Sequence, residues 1–166
     1  NLSFPYCVSI NSLFINEEST GNTYNTADIT VTLAHELGHY LGLHHVFSET
    51  DNENSCEDTD YCADTPTYNK KAYDMDCAYI EVNDPDNFTF ANLVNRENCL
   101  TGESFVSYNI MDYAISYSDR FTPEQRARIR HVLLYSPLIP GPKAGQEAGT
   151  RSAPSGLMKL PIRTAK

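Results

Sequence analysis

The sequence predicts an α/β (α+β) chain with a strand near its start, two well-marked helices far apart, and a long acidic, cysteine-rich connection between them. Three observations carry this. Pro5 to Ile15 alternates in part between apolar and polar residues and is rich in β-branched side chains. Ile29, Leu33, Leu37 and Leu41 recur at every fourth position, as a helix face requires. Four of the five cysteines, Cys56, Cys62, Cys77 and Cys99, fall in the polar connection. At 166 residues the chain is long enough for one core and too short for two.

Each element has its own start and stop signals. After the strand, Asn16 to Asn25 is polar and turn-rich, and Thr26 or Asp28 can cap the first helix. Gly42 is a natural stop for that helix. Residues 46–107 show little periodicity and hold 14 acidic side chains, with one short helix expected around Phe90–Arg96. So long a stretch inside a compact domain needs cross-links or bound ions to hold it. Thr122-Pro123-Glu124-Gln125 opens the second helix: Thr122 caps, Pro123 takes the first helical position and Gln125 closes a capping box. That helix is expected to reach about Leu134. Beyond Ser136 the chain holds Pro137, Pro140, Pro142, Pro154 and Pro161 and no apolar repeat, so residues 1–136 read as the body and 137–166 as a tail or linker.

Charge is unevenly placed. The body carries 21 Asp and Glu against 7 Lys and Arg, whereas the tail carries 1 against 5. Such a body repels phosphate backbones, which argues against nucleic acid and favours a cationic partner. Apolar runs such as Val132–Tyr135 are far too short to cross a bilayer, so no transmembrane segment is expected. The cysteines read as disulfide staples, which places the protein outside the cytoplasm, secreted or at the cell surface. With Cys7 the count is odd, leaving one thiol unpaired or bonded to a segment outside this chain. Any targeting signal would lie upstream of Asn1.

The chemistry sits in His35-Glu36-Leu37-Gly38-His39-Tyr40-Leu41-Gly42-Leu43-His44-His45, the pattern H-E-x-x-H-x-x-G-x-x-H. At about 100° per residue, His35 and His39 stand roughly 40° apart on one face, one turn apart along the axis. They lie about 200° around from Leu33 and Leu37, so the leucines are expected to pack inward while the histidines face a cleft. A continuing helix would carry His45 roughly 15 Å from His35 along the axis. The chain must therefore bend sharply, and Gly42 can do so because positive φ costs glycine nothing. Three neutral imidazoles leave Zn²⁺ its full charge and one open position, the arrangement of a catalytic site. Water bound there has its pKa lowered toward ~7. Glu36, beside the metal face, is the expected general acid/base. His44 and His131 read as solvated or supporting side chains.

The extended motif resembles the metzincin zinc endopeptidases, in which a methionine turn lies beneath the metal. Here Ser107-Tyr108-Asn109-Ile110-Met111-Asp112-Tyr113 supplies such a turn, Met111 standing 66 residues after His45. More narrowly, His45-Val46-Phe47, the Cys56 region, Ala63-Asp64-Thr65-Pro66, Asn109-Ile110-Met111-Asp112-Tyr113 and Arg120-Phe121-Thr122-Pro123-Glu124-Gln125-Arg126 are similar to the pappalysin family, and within it to bacterial zinc metalloproteinase lipoproteins. The resemblance covers roughly residues 4–142.

It implies a metzincin-like zincin domain in which 1–45 hold a strand and the zinc helix and 46–136 the lower, C-terminal subdomain. Only 34 residues precede His35, so most of the family's upper sheet would lie upstream. It further implies a zinc endopeptidase cutting protein or peptide substrates, with His35, His39 and His45 on the metal and Met111 as the floor. Tyr113 matches a tyrosine that stabilises the transition-state oxyanion in some metzincins, its alternative being a packed tyrosine. Family members bind calcium near Asp58, Asp60 and Asp64, and these carboxylates with Glu57 suit a hard cation, although Ala63 rules out an EF-hand. Cys56–Cys99 with Cys62–Cys77 is the preferred pairing, but the family's final cysteine is absent and other pairings stay open. Attachment through an upstream lipid anchor and a preference for basic residues beside the cut bond are further expectations. Two rival readings remain at this level: a zinc hydrolase of non-peptide amides or esters, and a non-catalytic module held together by zinc and calcium.

Overall fold

The computed structural model describes Val8 and residues 29–145; Cys7, the expected caps Thr26 and Asp28, and the expected strand apart from Val8 lie outside the described residues. Helix α1 spans Ile29–Tyr40. It ends in a Schellman turn: the Gly42 N–H donates to the His39 carbonyl at 2.9 Å, the Leu43 N–H donates to the Gly38 carbonyl at 2.9 Å, and Gly42 has φ +87°. A Cβ at Gly42 would also stand 2.9 Å from Val132 Cγ2. Both the backbone and the neighbouring helix therefore require glycine there.

The buried face of α1 is not the expected one. Val31, His35 and Gly38 are buried, whereas Leu33 and Leu37 are 39% and 40% exposed. The reason is Met111, which is fully buried and presses so close to α1 that a Cβ on Gly38 would overlap its Sδ. Only a glycine face admits that approach, so the side of the helix carrying Gly38 and His35 meets the core. That core consists of Leu43, Val46 and Met111, with Phe121 and Ile129 packed against it.

Residues 46–107 are more ordered than their sequence suggests. Helix α2 spans Lys70–Asn83, with Asn69 as N-cap accepting from the Ala72 N–H at 2.8 Å. None of its residues is fully buried, so it shows no apolar stripe to read. A 3₁₀ turn at Pro85–Asn87 follows, then α3 at Phe90–Leu93, capped by Thr89. The short helix expected over Phe90–Arg96 is thus a single turn, because the chain straightens into β1, Asn95–Glu97, which pairs antiparallel with β2, Ser104–Val106.

Cys56 and Cys99 form a disulfide with Cα atoms 5.7 Å apart, tying the loop before α2 to the end of β1. The expected Cys62–Cys77 bond is not formed. Cys62 is buried in a turn where its N–H donates to Asp60 Oδ1 at 2.9 Å, while Cys77 lies on α2 beside Tyr73 and lines a cavity with it and Arg96. Burial pushes the Cys62 thiol up to about 11, so it is an inert protonated side chain.

Helix α4, Pro123–Tyr135, begins as its sequence requires: the Thr122 side chain accepts from the Gln125 N–H and Gln125 Oε1 accepts from the Thr122 N–H at 3.0 Å. Beyond Ser136 the described residues stay on the body. Ile139 is buried, and Ala144 N–H donates to the Leu134 carbonyl at 2.9 Å.

Candidate metal centre

The Schellman turn brings His45 back beside His35 and His39. The three Nε2 atoms lie 3.1 Å (His35–His39), 3.2 Å (His35–His45) and 3.0 Å (His39–His45) apart. Among the described residues they are the one group of three or more potential ligands close enough to share an ion. The other ring nitrogens explain which tautomer each holds. His35 Nδ1 donates to the Ile110 carbonyl at 2.8 Å and His39 Nδ1 to the Leu43 carbonyl at 3.0 Å. His45 Nδ1 donates to Glu49 Oε1. Nδ1 is the donor in each ring, and the three Nε2 atoms face one point.

Three imidazole nitrogens 3.0–3.2 Å apart are close enough to share one ion, and this donor set would suit zinc. Burial is the largest influence lowering the His35 pKa, opposed by its bond to the Ile110 carbonyl and reinforced by the neighbouring histidines. It favours the neutral ring a metal needs.

The floor is held from three directions. Asn109 Oδ1 accepts from the Met111 N–H at 2.9 Å, and Asn109 Nδ2 donates to Gln125 Oε1 of α4 at 3.0 Å. The Met111 carbonyl accepts from the Val46 N–H at 3.3 Å. Next in the chain, buried Asp112 accepts from Tyr68 Oη at 2.6 Å and from Ser107 Oγ, and lies 3.9 Å from buried Arg96. Arg96 sits over the Tyr73 ring at 3.7 Å and donates to the Leu93 and Ile115 carbonyls. The Arg96–Asp112 pair thus pins the turn below the histidines to β1.

Glu36 is half-buried and shares with His35, Ile110 and Tyr113 a cavity of about 310 Å³. Tyr113 is 67% exposed, its ring 6.2 Å from that of His35 and 5.8 Å from that of His45. The tyrosine is therefore not a packed core residue. His44 is exposed and rests edge-on against Tyr61 at 5.5 Å, away from the ligand set.

In the acidic loop Asp58 and Asp60 lie together, while Asp64 turns toward α4. Asp60 is buried, accepting from Cys62 N–H and Thr65 Oγ1; Asp64 Oδ2 accepts from the Glu124 N–H at 3.0 Å, capping the first turn of α4; Asp58 Oδ1 accepts from the Asp60 N–H at 3.3 Å. Each of these carboxylates accepts a local donor.

Three residues of the centre carry no expectation from the sequence. Glu49 stands four positions after His45, a spacing that could have marked it. Gly38 could have been noticed as an unneeded glycine inside a helix. Arg96 has no local signal, since its partners lie in distant segments.

A helix carrying two histidines, a glycine turn delivering a third and a buried methionine packed on that helix form a three-histidine group that could hold one metal ion. The chain belongs to the pappalysin family of metallopeptidases: the profile of peptidase family M43, described as pregnancy-associated plasma protein-A, matches residues 8–134. Curated relatives include extracellular metalloproteases of Arthroderma benhamiae and Trichophyton verrucosum, each 36% identical over 99 residues, and one of Arthroderma otae at 35% over 99. The matched stretch is 59% of this chain and 29% of each relative, so the chain spans under a third of their length. No solved structure matches it.

Proposed function

We propose that this chain is the zinc-bearing part of an exported endopeptidase. The observation that carries the reading is the convergence of three Nε2 atoms, each ring held by a hydrogen bond at its own Nδ1. His35, His39 and His45 hold the ion, and Zn²⁺ bound there supplies Lewis acidity toward a water and a peptide carbonyl.

This chain's own groups do the rest. Glu36 takes a proton from the attacking water and delivers it to the departing amine. Tyr113, exposed beside the ligands, turns its hydroxyl toward the carbonyl oxygen and donates to it as negative charge develops. Met111, fully buried, keeps the ligand set from sinking. Export agrees with the extracellular relatives and with a disulfide between Cys56 and Cys99. Among the described residues no helix is long and apolar enough to cross a membrane.

The test is Glu36→Gln. The variant should bind zinc as tightly as the parent and lose cleavage of a denatured protein substrate. Cleavage at the parent's rate by the zinc-loaded variant would remove Glu36 from the mechanism.

A further inference from the structure

On the His45 side, a second cavity of about 350 Å³ opens beside the ligands. Its inner wall is aromatic: Phe47 stacks on His45 with centroids 4.7 Å apart and planes at 13°, and the Tyr113 ring lies 5.8 Å from that of His45. Of the two lysines that line the cavity, Lys70 and Lys71, the first stands near these rings. Lys70 Nζ is 5.8 Å from the centroid of Tyr113 and 6.0 Å from that of Phe47, and the side chain is only 25% exposed. Asp74, one turn along α2 and half-exposed, holds the ammonium from the outer side. The carboxylate nearest the ligands, Glu49, is engaged by His45.

We propose that this cavity is a substrate subsite in which Lys70 recognises a carboxylate, from an Asp or Glu side chain beside the cut bond or from a peptide's C-terminus. The proposal rests on the peptidase reading above. An ammonium has three donors, and the single contact with Asp74 leaves others for a ligand oxygen. Partly buried and within 6.0 Å of two ring centroids, this ammonium can make a charge-assisted hydrogen bond to a carboxylate. The acidic body predicts the opposite preference, for basic residues. Charges elsewhere on the body are screened beyond about 8 Å at physiological salt; of the carboxylates lining the cavity, Glu49 is paired with His45 and Asp74 with Lys70, and Asp51 faces the cavity together with a second lysine, Lys71.

The experiment is calorimetric binding of peptide hydroxamates to the zinc-loaded full chain, which reads the subsite without turnover. One set carries Glu, Gln or Lys beside the chelating group; a second carries Gln and ends in a free or an amidated C-terminus. A charge-assisted hydrogen bond makes the favoured compound bind about tenfold tighter. In the first set a gain of Glu over Gln identifies a side-chain carboxylate, and in the second a gain of free acid over amide identifies a terminal one. The gain should disappear in Lys70→Met, which keeps the apolar stem, and survive in Lys70→Arg. Equal binding within both sets, or a gain that persists in Lys70→Met, overturns the subsite. If zinc binds but no hydroxamate does, the peptidase reading fails and the subsite with it.

Discussion

Gly42→Ala tests the bend that assembles the site. A non-glycine residue held in the left-handed region costs about 1–2 kcal/mol, and Gly42 sits at φ +87°. The new Cβ would also stand 2.9 Å from Val132 Cγ2, and overpacking of this kind costs about 1–3 kcal/mol. The substitution should therefore destabilise the chain by about 2–5 kcal/mol, measured by urea unfolding in the presence of chelator. Val132→Ala in the same chain removes the second contribution and leaves the first, so the double variant should recover part of the loss and never all of it. Zinc affinity, measured by competition with a chromophoric chelator, should fall together with stability because His45 is delivered by this turn. A loss below about 0.5 kcal/mol would mean an ordinary surface position. Complete rescue by Val132→Ala would mean that the backbone at Gly42 is unstrained. Either result refutes the reasoning.

Two further outcomes follow from groups around the site. Glu49→Ala should weaken zinc binding about 10–100-fold, because it frees the His45 ring to turn; Glu49→Gln, which still accepts from Nδ1–H, should recover most of it, and unchanged affinity in both variants would show that Glu49 positions nothing. Burial pushes the Asp60 carboxyl up to about 6, with Asp58 adding to the shift and the Thr65 and Cys62 donors opposing it. Between about pH 4 and 6 the native chain therefore holds more of this proton than the unfolded chain, and the stability due to Asp60 falls as pH rises through that window. Asp60→Asn lacks this titration, so its thermal midpoint relative to the parent should rise from pH 4 to 7 in chelator; a fall over that range would reverse the sign.

The centre was more legible in the sequence than the fold around it. Ligand spacing on a helix is local geometry, so His35, His39 and the need for a bend at Gly42 follow from rise and rotation alone. The capping box at Thr122 is local in the same way, and α4 starts where it predicts. Burial is not local. Leu33 and Leu37 form the more apolar stripe, yet the face with Gly38 meets the core because Met111, 73 positions later, needs the room. Helix α2 went unread because it buries no face, and its signals are a cap at Asn69 and a stop before Pro85. The cysteine pairing is half legible: Cys56 and Cys99 meet, while Cys62 sits in a local turn with Asp60 and Thr65, Cys77 lies on α2, and the two do not bond. Asp58 and Asp60, close along the chain, are also close in the fold, whereas Asp64 caps α4, a contact with no local sign in the sequence.

X-ray absorption at the zinc edge, recorded on the metal-loaded chain with and without a hydroxamate, addresses the site most directly. Three imidazole nitrogens at about 2.0–2.1 Å and one light-atom ligand that the hydroxamate replaces are the expected shell. A fourth protein ligand that the hydroxamate cannot displace, or a shell that keeps all its imidazoles when His45 is changed to Ala, would contradict a catalytic three-histidine centre.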